Sequence, residues 1–133
     1  MLAELVGFDT TSRDGNIPLI EFVENYLDSW DVPHFRVDYE AGKKTSLFAT
    51  IGPDIAGGIV LSGHTDVVPV DGQAWASNPF ELSERGGRLY GRGTCDMKGF
   101  IAVALALVPQ FKSANLKTPI HLALSCDEEV GCK

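Results

Sequence analysis

The sequence is poor in cysteine, in positive charge and in long apolar runs, and each shortage excludes a class of protein. It has three cysteines in 133 residues and no CxxC pair, which argues against a disulfide framework or a cysteine-based zinc site. The net charge of −7 leaves no basic surface for nucleic acid or for an anionic membrane. The longest apolar run, 100–108, is too short to span a bilayer. The remaining composition, 44% hydrophobic and 22% charged, predicts one globular domain with a real core.

The two ends of the chain lead to two expectations. The start, Met-Leu-Ala-Glu, lacks the basic and apolar regions of a signal peptide, so a cytoplasmic location is expected. The end, 131–133, comes just after a polar cluster that follows a predicted strand, where complete domains rarely stop. We therefore expect residues 1–133 to be the N-terminal portion of a longer catalytic domain.

Apolar periodicity predicts alternating helices and strands. Helices are expected over 2–8, from 17 to just before Pro33, and over 97–111, the last one apolar nearly all round and therefore buried. Strands are expected over 34–39, 45–51, 57–62 and 119–125, with a hairpin pairing 80–83 with 88–90. The apolar strands 57–62 and 119–125 are expected in the centre of the sheet. This order favours an α/β domain with a partly parallel sheet, parallel pairs in the majority, flanked by helices.

Three clusters of polar residues follow predicted strands or open a predicted helix. Ligands of open α/β sheets bind outside the carboxyl ends of the strands, so these clusters can converge. They are Ser62-Gly63-His64-Thr65-Asp66, the segment Gly91–Gly99 around Asp96, and Cys126-Asp127-Glu128-Glu129.

The first two clusters each allow two interpretations. His64 suits a metal ligand whose other ring nitrogen is oriented by Asp66, or it is a surface histidine beside an aspartate in a turn. Asp96, between flexible glycines, can bridge two cations with its two oxygens, or it can cap the helix 97–111.

The third cluster is similarly open. Glu128 and Glu129 would point in opposite directions in extended backbone, so that one could bind a metal while the other faces a water molecule. The alternative is a solvated acidic loop. His34 and His121 have no such neighbours and are interpreted as structural.

Taken together, four motifs resemble one family, the di-zinc amidohydrolases that include acetylornithine deacetylases, succinyl-diaminopimelate desuccinylases and carboxypeptidases. The resemblance runs over nearly the whole chain, and the order and spacing of the motifs make it specific. The motifs are SGHTDVVPVDG (62–72), W-x3-PF (75–80), GRLYGRGTCDMKG (87–99) and DEEVGC (127–132). The first and the last are most similar to the acetylornithine deacetylase branch.

The resemblance implies a role for five residues. His64 would bind one metal ion and Asp66 would orient it, Asp96 would bridge two ions, Glu128 would act as general base, and Glu129 would bind the other ion. The cofactor implied is Zn2+, two per full-length subunit, with Co2+ possible. The remaining ligands and a lid domain that mediates homodimer formation would lie beyond residue 133.

The resemblance also implies the reaction, hydrolysis of the acetyl group from N-acetyl-L-ornithine in arginine biosynthesis. The partner is then a small N-acyl amino acid, with no nucleic acid and no membrane. Two alternatives stay open: the same chemistry on succinyl-diaminopimelate, a dipeptide or a carboxypeptidase substrate, and a truncated, non-catalytic piece that holds metal weakly.

Overall fold

The computed structural model describes residues 1–132, in which two helices precede five strands, two further helices and a last strand, so the predicted strict alternation is absent. The helices are α1 (Leu2–Gly7), α2 (Ile17–Asp28), α3 (Lys98–Ala106) and α4 (Val108–Ser113), and short 3-10 turns occupy Glu40–Gly42 and Glu128–Val130. The strands are β1 (His34–Tyr39), β2 (Lys44–Ile51), β3 (Ile59–His64), β4 (Ser83–Arg85), β5 (Arg88–Tyr90) and β6 (Ile120–Ser125). The predicted α/β class is confirmed.

Four strands form one sheet in the order β1-β2-β6-β3. The β3–β6 pair is parallel, whereas β1–β2 and β2–β6 are antiparallel. The sheet is therefore partly parallel as predicted, but the expected majority of parallel pairs is wrong. β6 is central as predicted, while β3 lies at the edge, and its residues Ile59 and Val60 are 61% and 52% exposed.

The helices pack on one face of the sheet. Leu47 lies opposite Leu124 and Ala49 opposite Leu122 across β2 and β6, and all four side chains are buried in the core. The same core contains buried residues of α1 to α4, among them Leu5, Leu19, Ile20, Val23, Ile101, Leu105 and Val108. On the other face, Phe35 and Val37 are more than half exposed.

The helix predicted over 97–111 is divided at Leu107 into α3 and α4. Pro109 stands in the first turn of α4, where its missing N–H is tolerated, but it cannot continue an unbroken helix from α3. The expected burial on all sides is also wrong, since Val103 is 61% exposed.

The predicted hairpin is present with a shorter first strand, because Ser83, not Phe80, begins the pairing. Gly86 and Gly87 connect the strands, and both have positive φ, at 58° and 70°. A two-residue turn of this kind matches the twist of the strands and needs residues that tolerate positive φ. Among residues 1–132, none of the helices has the length and apolar content needed to cross a membrane.

Candidate metal centre

His64 is the last residue of β3 and brings a buried imidazole to the carboxyl end of the sheet. Its Nδ1 lies 3.0 Å from the backbone oxygen of Asp66, which can only accept a hydrogen bond. Nδ1 therefore carries the proton and donates it, and Nε2 faces the other polar clusters. This is the arrangement in which a histidine is held ready to bind a metal through Nε2.

Asp96 reaches this imidazole from the loop before α3. One of its carboxylate oxygens, Oδ1, lies 3.0 Å from Nε2 of His64, and the Asp96 side chain is 73% exposed. α3 begins at Lys98, with Met97 at the N-cap position and no side-chain cap. The alternative in which Asp96 caps the helix is therefore wrong, and its carboxylate is turned toward His64 instead.

Glu128 and Glu129 enter from the turn that follows β6. Ligand atoms of His64, Glu128 and Glu129 all lie within 4.8 Å of one another. The expectation of extended backbone here is wrong, because Glu128–Val130 forms a 3-10 turn after Asp127, whose φ of 64° is left-handed. The turn places both carboxylates on the side of His64, Glu128 the more exposed and Glu129 half-buried.

Asp66 holds the turn more directly than it holds the imidazole. Its carboxylate accepts hydrogen bonds from the backbone N–H of Glu128 at 3.3 Å and of Glu129 at 3.2 Å. The hydroxyl of Ser12 donates a third at 2.9 Å. Nδ1 of His64 is 3.5 Å from the same carboxylate, farther than from the Asp66 backbone oxygen. The predicted orienting contact thus runs through the Asp66 main chain, while its side chain connects two of the three clusters.

The electrostatics of the site reflect its crowded carboxylates. Burial raises the pKa of Glu129, and the neighbouring Asp96 carboxylate raises it further. Burial by itself lowers the pKa of His64, but the hydrogen bonds to Asp96 and to the Asp66 backbone outweigh it, and the pKa lies above 6.5. A site that holds protons on closely spaced groups favours a cation in their place.

Sequence reasoning missed the buried polar groups beneath the turn. Lys44, 6% exposed, donates from Nζ to Oδ1 of Asp127 at 2.7 Å, and the Tyr39 hydroxyl donates to Oδ2 at 2.7 Å. The hydrogen bond to Asp127 raises the pKa of Lys44, so the lysine stays charged. A lysine at the start of a strand is usually solvated, and nothing in the sequence around Lys44 predicts that its side chain is buried.

The two remaining histidines hydrogen-bond to groups outside the cluster. Nδ1 of His34 lies 3.0 Å from the backbone oxygen of Val32. His121 contacts the hydroxyl of Thr50 and stacks on Phe48. These contacts agree with the structural interpretation of both residues.

The donor set fits a divalent transition metal. One imidazole and several carboxylates, drawn from three segments, are ligands that suit zinc, cobalt or manganese. Because Nδ1 donates to the backbone oxygen of Asp66, Nε2 is the ring nitrogen that would bind a metal, once it gives up the proton that it donates to Asp96. Asp96 lies 3.0 Å from this nitrogen, and Glu129 brings a second carboxylate from another segment to within 4.8 Å of a ligand atom of His64.

Known proteins resemble this chain in sequence. The model of peptidase family M20/M25/M40 matches residues 60–133, more than half of the chain and all three clusters. An acetylornithine deacetylase of Myxococcus xanthus is 42% identical over 135 residues, which cover 98% of this chain and 34% of that protein. The chain thus spans about a third of the length of the curated relatives it matches.

Solved structures resemble it in fold. The crystal structure of human carnosine dipeptidase 1 superposes with a TM-score of 0.84 at 26% identity, over 98% of this chain and 32% of that one. The M20 family metallo-carboxypeptidase Sso-CP2 of Sulfolobus solfataricus gives a TM-score of 0.81 at 23% identity, covering 98% and 30%.

Proposed function

Since the chain belongs to peptidase family M20/M25/M40, we propose that it forms the metal-binding part of a hydrolase that removes the acetyl group from N-acetyl-L-ornithine. The resemblance inferred from the motifs is confirmed at the level of the family. The observation that carries the proposal is the convergence of His64, Glu128 and Glu129 within 4.8 Å, with Asp96 at 3.0 Å from His64. The deacetylase named for the Myxococcus relative supports the choice of substrate.

His64, Asp96 and Glu129 are the residues that would hold zinc, with Asp96 shared between two ions. Zinc in such a site lowers the pKa of water from about 15.7 to about 7 and polarises the carbonyl that is attacked. Cobalt offers the same ligand preferences and would substitute. Glu129 is half-buried, and the burial that raises its pKa in the metal-free chain favours pairing with a cation.

Glu128 is the residue that would move the proton. Its side chain is 52% exposed and its Oε2 lies 3.9 Å from Nε2 of His64, so it borders the metal cluster and also faces solvent. Oε2 would take a proton from the attacking water and return it to the departing amine of ornithine. The products are acetate and ornithine.

A first experiment tests the metal centre in this chain. Native mass spectrometry with added zinc should give a zinc-bound species, which His64→Ala should lose because Nε2 carries the metal. His121→Ala is the matched control, since it removes a half-buried histidine that lies outside the cluster. Equal zinc loss in both variants would contradict the assignment of His64 as a ligand. If the unaltered chain binds no zinc, the same comparison is made in the full-length enzyme, which would supply the remaining ligands.

A second experiment tests the chemistry in the full-length enzyme that contains this chain. Glu128→Ala should abolish hydrolysis while the metal content is unchanged, because Glu128 moves the proton and is not proposed as a ligand. Loss of metal together with activity would overturn its role as general base. A panel of N-acetyl-L-ornithine, N-succinyl-LL-diaminopimelate and dipeptides identifies the substrate.

A dipeptidase is the second candidate, favoured by the TM-score of 0.84 to human carnosine dipeptidase 1. The substrate panel separates the two, since the same centre would then prefer a dipeptide to N-acetyl-L-ornithine. Homodimer formation and a cytoplasmic location of the full-length enzyme stay predictions, as does the assignment of residues 1–133 to the N-terminal part of its catalytic domain.

A further inference from the structure

Beneath the turn that carries Glu128 and Glu129 lies a buried ionic group that the proposed chemistry does not use. Asp127 is 1% exposed, and both oxygens of its carboxylate accept hydrogen bonds, one from Lys44 and one from the Tyr39 hydroxyl, each at 2.7 Å. Lys44 comes from the start of β2 and Tyr39 from the end of β1. β1 and β2 are thus connected to the turn through side chains.

These contacts continue into a closed ring of hydrogen bonds. Nζ of Lys44 also donates to the backbone oxygen of Ser12 at 2.8 Å. The hydroxyl of Ser12 donates to Asp66, whose carboxylate accepts the N–H groups of Glu128 and Glu129. The ring is therefore attached to the turn at two places, the side chain of Asp127 and the backbone amides of Glu128 and Glu129.

The ring constrains a turn that has little apolar packing of its own. Val130 is 42% exposed and Gly131 is exposed, so burial does not fix the orientation of the segment. Asp127 has a left-handed φ of 64°, an unfavourable conformation for a residue with a side chain. Buried, fully satisfied polar networks of this kind define one geometry where packing alone would allow several.

We propose that Lys44, Tyr39 and Asp127 act as positioning residues that hold Glu128 and Glu129 in the orientation needed to bind and use the metal. The proposal rests on the proposed function, because it deepens the account of the same centre. None of the three would touch metal or substrate. They act through the backbone of the turn, and removing an outer contact of this kind typically weakens metal binding by about 10- to 100-fold.

Tyr39→Phe is the primary test, since it keeps the aromatic side chain and removes only the hydroxyl, which contacts Asp127 and the neighbouring Cys126 Sγ. Tyr26→Phe is the matched control: its hydroxyl donates a hydrogen bond at 3.0 Å to the backbone of Leu105, away from the turn. Zinc affinity is measured by calorimetry on the full chain, together with thermal stability. We expect Tyr39→Phe to weaken zinc binding about tenfold or more and Tyr26→Phe to leave it within about twofold.

A second readout needs no metal. Amide hydrogen exchange at Glu128 and Glu129 reports how firmly Asp66 holds them. Tyr39→Phe should accelerate this exchange by about tenfold or more, and Tyr26→Phe should not. Lys44→Met should accelerate it further. Because Lys44→Met can prevent folding by leaving a buried carboxylate without its cation, the argument depends on Tyr39→Phe.

Each outcome decides the proposal. Weaker zinc binding and faster exchange in Tyr39→Phe alone would support it. Equal behaviour of the two tyrosine variants in both measurements would overturn it and assign the buried group to stability only. If the unaltered chain binds no zinc, residues 1–133 do not form the metal centre by themselves, and the exchange rates decide whether Lys44, Tyr39 and Asp127 position the turn.

Discussion

Asp66 and Asp96 are two aspartates on opposite sides of the site, and their carboxylates differ in burial and in hydrogen bonding. The side chain of Asp66 is 2% exposed and accepts three hydrogen bonds, two of them from the turn after β6. The side chain of Asp96 is 73% exposed and contacts the ring of His64. A buried carboxylate with filled acceptors organises a site, whereas an exposed one is available to a ligand.

The comparison predicts its largest effect on stability. Asp66→Ala removes the acceptor of three hydrogen bonds, a buried one from Ser12 and partly buried ones from the amides of Glu128 and Glu129, so the free energy of unfolding should fall by about 3 kcal/mol. Asp96→Ala removes an exposed side chain and should change it by about 0.5 kcal/mol or less. Urea unfolding of the two variants measures the difference. Similar losses would mean that the two carboxylates do not differ in the way their burial indicates.

A smaller loss of stability is expected from a substitution at Gly93, in the segment that carries Asp96. Gly93 has a φ of 82°, and an added Cβ would lie 3.0 Å from side-chain atoms of Lys98 and Val67. Gly93→Ala should therefore lower the free energy of unfolding by about 2 kcal/mol, from strain and crowding together. Gly72→Ala is the control, since Gly72 has a φ of 71° with open space around it, and should cost about 1 kcal/mol. Equal costs, compared by thermal unfolding, would show that packing against Lys98 is unimportant.

The smallest predicted effect is on pH dependence. The pKa of His64 is raised above 6.5 by Asp96 and the Asp66 backbone despite its burial. In the metal-free chain the resulting stability is present below about pH 6.5 and is lost as pH rises through the folded-state value. Zinc must displace the same proton, so its affinity should rise with pH by at most about tenfold per unit over this range, equivalent to about 1.4 kcal/mol. Calorimetry from pH 5.5 to 8 measures how the stability of the metal-free chain and its zinc affinity each change with pH. A zinc affinity independent of pH would exclude His64 as ligand.

Most of the fold could be predicted from local patterns. The helix α1 and the strands β1 and β6 begin and end within a residue or two of their predicted limits, because apolar periodicity acts over a few residues. The helix α2 begins where predicted but ends at Asp28, several residues before Pro33. The errors are of another kind. β3 has the apolar run of a central strand yet lies at the sheet edge, and Leu107 divides one predicted helix into two. Strand order depends on contacts between distant residues, which a local pattern does not contain.

The candidate site shows the same division. Residue types by themselves left two interpretations open, and the resemblance of the motifs to a known family selected His64, Asp96, Glu128 and Glu129. These four side chains lie together. Their metal-binding and proton-transfer roles stay predictions, which the zinc and Glu128 experiments address. The polar support was not predictable: no pattern near Lys44 or Ser12 indicates that they meet Asp127 and Asp66 across 83 and 54 positions of sequence.

By itself the sequence determined which residues are candidates for the site, through the resemblance of its motifs, and the elements that carry them, through short-range periodicity. The tertiary structure decided which groups became buried. Lys44 and Asp127 lose their water only when β1, β2 and the turn after β6 come together, and a charge that loses its water must find a partner. That requirement connects the turn to the sheet, and it arises only once the chain has folded.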